Sequence, residues 1–130
     1  MKILLDTQCL LWVLFDENRI NPKRLELITN KDNEIYVSVA SLWEIEIKSI
    51  KHPNLMPYSY EVVAKALKDT DFNIIPILSE QVSLLRDIIN QKIHSDPFDH
   101  IILASALMNN LSLLTEDENI KRYNYSNIIK

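Results

Sequence analysis

Apolar positions along the chain fall into two kinds of segment. Short apolar runs predict strands at "KILLD", "EIYVSV", "FNIIPI", "LSLLT" and the closing "SNIIK". Longer segments between them predict helices at "TQCLLWVLF", "PKRLELITN", "ASLWEIEIKSIK", "SYEVVAKALKDT", "SEQVSLLRDIINQ" and "DPFDHIILASALMNN", with a short turn or helix at "DENIKRY". Strands that alternate with helices predict an α/β fold with a central, mostly parallel sheet and helices on both faces.

Local signals refine this prediction. Pro76 places "FNIIPI" near a sheet edge, because proline cannot donate a ladder hydrogen bond. Thr7 is a candidate cap for the first helix. The segment "SEQVSLLRDIINQ" predicts one helix, since its apolar residues recur at helical spacing at Val82, Leu85, Ile88 and Ile89. The chain has no glycine, so its turns must use Asn, Asp and Pro.

Length and composition indicate one globular domain over residues 1–130. Hydrophobic residues make up 47% of the chain and charged residues 25%, which is typical of folded domains. Cys9 is the only cysteine, which excludes a disulfide framework or a cysteine-based metal site. No apolar run approaches the roughly 18 residues of a membrane span, and Asp6 interrupts the apolar N-terminus. We therefore expect a cytoplasmic protein.

Four acids follow or flank the predicted strands. Asp6 ends the first strand, Glu44 lies early in the helix after "EIYVSV", Asp99 lies in the first turn of a later helix, and Asp117 follows "LSLLT". In a parallel sheet the carboxyl ends of the strands and the first turns of the helices meet at one edge, where ligands bind. We therefore expect these four acids to converge.

Each acid also has a purely structural explanation. Asp6 and Asp117 suit helix caps or turns, and Glu44 suits an ion pair with Lys48 one helical turn away. Asp96 before Pro97 is a good N-cap. Converging carboxylates nevertheless repel one another unless a cation lies between them, and oxygen ligands favour Mg²⁺ or Mn²⁺. A net charge of −4 disfavours nucleic-acid binding, and bound cations would reduce the local negative charge at the site.

The chain resembles the PIN-domain ribonucleases, specifically the VapC-like toxins of type II toxin–antitoxin pairs. The resemblance covers nearly the whole chain and lies in four motifs: "LLDTQCLLW", "SLWEIEIK", "DPFDHIILASA" and "LLTEDENI". It implies a PIN-like three-layer sandwich with four to five strands. It also implies a catalytic and metal-binding set of Asp6, Glu44, Asp99 and Asp117, with Thr115 at the hydroxyl position and Asp96 as an accompanying acid.

The same resemblance implies a function. Members hydrolyse RNA with Mg²⁺ or Mn²⁺, commonly form homodimers, and are held inactive by a cognate antitoxin. Gln8 and His100 stand where close relatives often carry His and Arg, beside the acids, so these departures bear on the expected substrate preference more than on the expected activity. The glycine that commonly follows the second motif is also missing from "SIKHPNLMP".

Other residues near the motifs have two interpretations. His94 is a possible contact to substrate or metal-bound water, or an exposed loop histidine, and we expect the latter. Lys48 either touches a phosphate or only pairs with Glu44. Trp12 and Trp43 are expected in the core.

Three functional hypotheses follow from these observations. The first is a metal-dependent endoribonuclease that acts as a toxin. The second is a catalytically silent PIN fold that only binds a partner. The third is a phospho-receiver domain, which also gathers acids at a strand edge but needs an acceptor aspartate after a middle strand, where "EIYVSV" is followed by Ala40 and Ser41.

Overall fold

The computed structural model describes all of residues 1–130. Its strands are β1 (Lys2–Leu5), β2 (Glu34–Ser38), β3 (Asn73–Ile75), β4 (Ser112–Leu114) and β5 (Ile128–Ile129). Its helices are α1 (Thr7–Phe15), α2 (Pro22–Thr29), α3 (Val39–Lys51), α4 (Tyr60–Leu67), α5 (Ser79–Val82), α6 (Leu85–Asn90), α7 (Pro97–Met108) and α8 (Glu118–Lys121). A single 3₁₀ turn, Glu17–Arg19, follows α1.

The five strands form one sheet in the order β3-β2-β1-β4-β5, and every neighbouring pair is parallel. The predicted parallel sheet is confirmed, and β3 lies at an edge as Pro76 indicated. β1 is the central strand and its Ile3, Leu4 and Leu5 are fully buried. The acid that follows β1 therefore lies at the middle of the sheet.

Helices cover both faces of the sheet. Ile3 and Leu5 pack in one apolar cluster with residues of α1, α2, α3 and α4. Leu4 points to the other face, where it packs with residues of α6, α7 and α8. Because side chains alternate along a strand, β1 supplies both clusters and holds the three layers together. None of the eight helices has the length and hydropathy needed to cross a membrane.

The strand order argues against the phospho-receiver hypothesis. Receiver domains of the flavodoxin-like type have the order 2-1-3-4-5. Here the chain crosses outward from β1 to β2 and β3, then returns to place β4 on the other side of β1. This sheet is therefore wound differently from that of a receiver domain.

Two local predictions were wrong. The cap of α1 is Asp6, whose side chain accepts from the Cys9 amide, and not Thr7. The segment predicted as one helix from Ser79 onward forms the two short helices α5 and α6, with Val82 and Ile89 exposed. The buried Gln81 side chain fixes the start of α5, because it accepts from the Leu78 amide and donates to Ser105 Oγ of α7 at 3.2 Å. A polar contact therefore fixes α5, where the sequence predicted an apolar face.

Lys92 and Asn110 adopt left-handed backbone conformations, with φ of 56° and 54°. Each follows the C-cap of a helix, where glycine is usual. Asparagine tolerates this conformation better than lysine, for which it costs about 1 kcal/mol.

We expect Lys92→Gly to raise the free energy of unfolding by about 0.5–1 kcal/mol in urea titrations. Lys65→Gly, inside α4, should lower it, and an unchanged stability of Lys92→Gly would contradict the strain at Lys92.

Candidate functional site

A cavity of about 150 Å³ lies at the carboxyl edge of the sheet. Its walls include five carboxylates and one ammonium; the lining residues are Asp6, Thr7, Gln8, Leu11, Glu44, Lys48, Met56, Asp96, Asp99 and Asp117. The structure thus brings together the four acids singled out in the sequence. A larger cavity of about 610 Å³ lies where β2 and β3 begin, at the other edge, and contains none of the predicted site residues.

Asp6 is buried at the centre of this edge and is held on both carboxylate oxygens. The Cys9 amide donates to Oδ1 at 2.8 Å, and the Thr115 hydroxyl donates to Oδ2 at 2.5 Å. Thr115 also accepts from the Asp117 amide at 2.9 Å, so it links the acids that follow β1 and β4. Burial raises the pKa of Asp6 above its usual value, although the bonds from Thr115 and Cys9 oppose the shift.

Glu44 is buried on the first turns of α3 and is also held on both oxygens. The Thr7 hydroxyl donates to Oε1 at 2.6 Å, and Lys48 Nζ lies 2.5 Å from Oε2. The predicted ion pair with Lys48 therefore exists, and Glu44 lines the cavity as well. Burial lowers the pKa of Lys48, but the hydrogen bond and charge of Glu44 outweigh burial and raise it overall. Thr7 was missed as a site residue, and its position directly after Asp6 is the only sequence signal for it.

Asp96 and Asp117 are both helix caps, as their structural explanation predicted. Asp96 Oδ1 accepts from the amides of Phe98 and Asp99, and Asp117 Oδ1 accepts from the amides of Asn119 and Ile120. In each case one oxygen makes both capping bonds. The other oxygen remains available for a cation, so capping and ligand roles are compatible at these two positions.

Asp99 lies in the first turn of α7 and is only 14% exposed. Burial is the main cause that raises its pKa to about 7, and the charges of Asp96 and Glu44 add to the shift. His94 opposes the shift, since its Nε2 lies 2.7 Å from Asp99 Oδ2. The ionised site is therefore short of positive charge.

Two expectations about neighbouring residues were wrong. His94 is not an exposed loop histidine, because its side chain is 14% exposed and contacts Asp99. Trp43 is not in the core: it is 53% exposed and packs edge-on against Phe98, with ring centroids 4.8 Å apart. His94 therefore contacts an acid of the site, and Trp43 lies against the residue that precedes Asp99.

The donor set fits a divalent cation. Carboxylate oxygens are the ligands that Mg²⁺ and Mn²⁺ take in proteins, and Lys48 is the only cation that lines the cavity. Donor atoms of His94, Asp99 and Asp117 lie within 4.8 Å of one another. Bound positive charge would also favour the ionised forms of Asp6 and Asp99, whose pKa values are raised here.

Comparison with solved structures gives several similar folds. A chain of VapBC2 from Rickettsia felis, bound to a DNA fragment from its promoter, is 21% identical with a TM-score of 0.70, and the match covers 99% of this chain and 96% of that one. A chain of DNA-bound VapBC from Salmonella typhimurium is 16% identical with a TM-score of 0.71, and the match covers 99% of this chain and 97% of that one. A chain of a toxin–antitoxin complex from Klebsiella pneumoniae is 20% identical with a TM-score of 0.61, and the match covers 98% of this chain and 96% of that one. A search of the curated proteins found no significant match.

The family model described as "PIN domain" matches residues 3–124, which is nearly the whole sequence and includes every acid of the cavity. The parallel sheet, the layers of helices on both faces and the convergence of acids from four segments agree with that match. The chain therefore belongs to the PIN domain family.

Proposed function

We propose that the protein is a divalent-metal-dependent endoribonuclease that acts as the toxin of a toxin–antitoxin pair. The observation that carries this proposal is the cavity lined by five carboxylates, in which Asp6 and Asp99 have raised pKa values. Clustered carboxylates with perturbed pKa values are typical of functional sites. Membership of the PIN domain family and similarity to chains of toxin–antitoxin complexes support the same activity.

Asp6 and Asp99 would be the central ligands of Mg²⁺ or Mn²⁺, with Glu44 and Asp117 completing the set, some of them through water. A divalent ion at such a site lowers the pKa of an attacking water and neutralises charge on a phosphodiester. Thr115 keeps the Asp6 carboxylate in one orientation, and Asp96 fixes the first turn of α7 that carries Asp99. Lys48 balances Glu44 and is 43% exposed, which leaves it accessible to a substrate phosphate.

The proposed partners follow from the same reasoning. The substrate is RNA, and the regulator is a cognate antitoxin, since similar chains come from toxin–antitoxin complexes. We propose that the protein acts in the cytoplasm as a homodimer. The silent PIN fold remains the competing function, but it gives no reason for five carboxylates to share one cavity.

Cleavage of total RNA tests the proposal. Purified protein, freed of any bound partner, is incubated with RNA and Mn²⁺, Mg²⁺ or EDTA, with single-stranded DNA of matched length as the control substrate. We expect discrete RNA fragments with either metal, none in EDTA, and little cleavage of DNA. Cleavage that persists in EDTA would contradict the metal site. Folded protein that neither cleaves RNA nor binds Mn²⁺ would support the silent fold.

A further inference from the structure

His94 contacts the acids from the loop between α6 and α7. Its Nε2 lies 2.7 Å from Asp99 Oδ2, and both side chains are only 14% exposed. His94 is not among the residues that line the cavity, but it contacts Asp99, which is. His94 is the only histidine whose side chain contacts one of these acids.

The loop that carries His94 is anchored to the helix that carries Asp99. His100 Nε2 lies 2.7 Å from the His94 carbonyl oxygen. Because a carbonyl can only accept, His100 carries a proton on Nε2 and donates it. His100 is buried on α7, one residue after Asp99, so the main chain at His94 is tied to the same turn. The contact between His94 and Asp99 is therefore built into the fold.

Donor atoms of His94, Asp99 and Asp117 all lie within 4.8 Å of one another. Two ligands on opposite sides of one small divalent ion are about 4.2 Å apart, which is twice a bond length. The three atoms are thus almost close enough to share an ion. This set contains one imidazole nitrogen and two carboxylate oxygens, whereas the cavity itself offers mainly oxygen.

We propose that His94 is a nitrogen ligand of the ion that Asp99 and Asp117 hold, and that this makes the site select Mn²⁺ over Mg²⁺. Imidazole suits transition metals, whereas Mg²⁺ prefers oxygen ligands and retained water. The inference rests on the proposed function, because it concerns the same metal. It differs from a role in which His94 only orients Asp99 through a hydrogen bond.

Manganese binding to the whole chain tests this assignment without an activity assay. Electron paramagnetic resonance gives the affinity for Mn²⁺ and its competition by Mg²⁺, and electron spin-echo modulation detects ¹⁴N bound to the ion. The variant is His94→Gln, whose side-chain amide can still donate to Asp99 and so retains the orienting bond. The matched control is His52→Gln, an exposed histidine that is not among the residues lining the cavity.

We expect ¹⁴N modulation in the wild type and in His52→Gln, and none in His94→Gln. The affinity of His94→Gln for Mn²⁺ should fall about 10-fold or more, while its affinity for Mg²⁺ changes less than about twofold. Manganese that binds the wild type without ¹⁴N modulation would overturn the inference and leave the proposed metal site intact, as would modulation that persists in His94→Gln. Folded protein that binds no Mn²⁺ at all would overturn both proposals.

Discussion

Asp6→Asn is expected to lower the rate of RNA cleavage about 1,000-fold or more, although the protein folds normally. Asp6 is the acid at the centre of the sheet edge and would be a central metal ligand. An amide carries no charge and binds Mg²⁺ or Mn²⁺ weakly. Loss of several kcal/mol of charge stabilisation in the transition state corresponds to about three powers of ten in rate.

The same substitution is expected to stabilise the metal-free fold. The pKa of Asp6 is raised mainly by burial, so this carboxyl group lowers the stability of the folded state at pH values above its unfolded pKa. Asparagine can still accept from the Cys9 amide, and its NH₂ group can donate to the Thr115 hydroxyl, so both contacts are kept with the direction of the second bond reversed. We expect the free energy of unfolding at pH 8 to rise above that of the wild type.

The sign of this effect follows from linkage. A carboxyl whose pKa is raised on folding contributes stability that is fully present below its unfolded pKa and is lost as the pH rises through its folded pKa. The difference in stability between Asp6→Asn and wild type should therefore be larger at pH 8 than near pH 4. Urea titrations at both pH values, with EDTA present, measure it. Asp87→Asn, on the exposed surface of α6, is the control and should change neither activity nor stability.

An Asp6→Asn protein that cleaves RNA at the wild-type rate would remove Asp6 from the metal site. Loss of cleavage together with lower stability at pH 8 would mean that the carboxylate serves the fold. A loss of activity together with a gain in stability is characteristic of a functional acid held in an unfavourable environment.

Much of the site could be predicted because topology decides it. Asp6 directly follows a buried apolar strand, and Asp117 follows another. Once both strands are parallel, their carboxyl ends must meet at one edge, whatever the details of packing. Asp96 with Pro97 marks the start of α7 independently, which brings Asp99 to the same edge. These inferences need only strand direction and helix starts.

Contacts made by side chains could not be predicted in this way. The loop position of His94 predicts an exposed side chain because loops lie on the surface, yet the bond from His100 holds the loop against Asp99. The size and apolar character of Trp43 predict a core residue. On α3, however, the inward face is set by Leu42 and Ile45, and Trp43 lies on the outer side. Hydrophobicity alone does not fix the rotation of a helix whose buried face also carries Glu44.

Manganese binding is expected to be about 100-fold weaker at pH 5 than at pH 8. The pKa of Asp99 is raised to about 7, first by burial and then by the charges of Asp96 and Glu44, against the effect of His94. An ion binds the ionised carboxylate, so it must displace the proton. A group with a pKa of about 7 is roughly 90% ionised at pH 8 and about 1% ionised at pH 5, which sets the ratio of affinities.

Proton release gives this prediction a second, independent measurement. Because the folded pKa of Asp99 lies above its unfolded value of 3.8, the metal-free protein loses stability as the pH rises from about 4 to 7, and bound metal should restore it. Manganese should therefore raise the melting temperature more at pH 8 than at pH 5. Calorimetric titrations at pH 6 in buffers of different ionisation enthalpy should show about one proton released per ion. An affinity that stays constant from pH 5 to pH 8 would mean that Asp99 is ionised throughout this range or does not bind the metal.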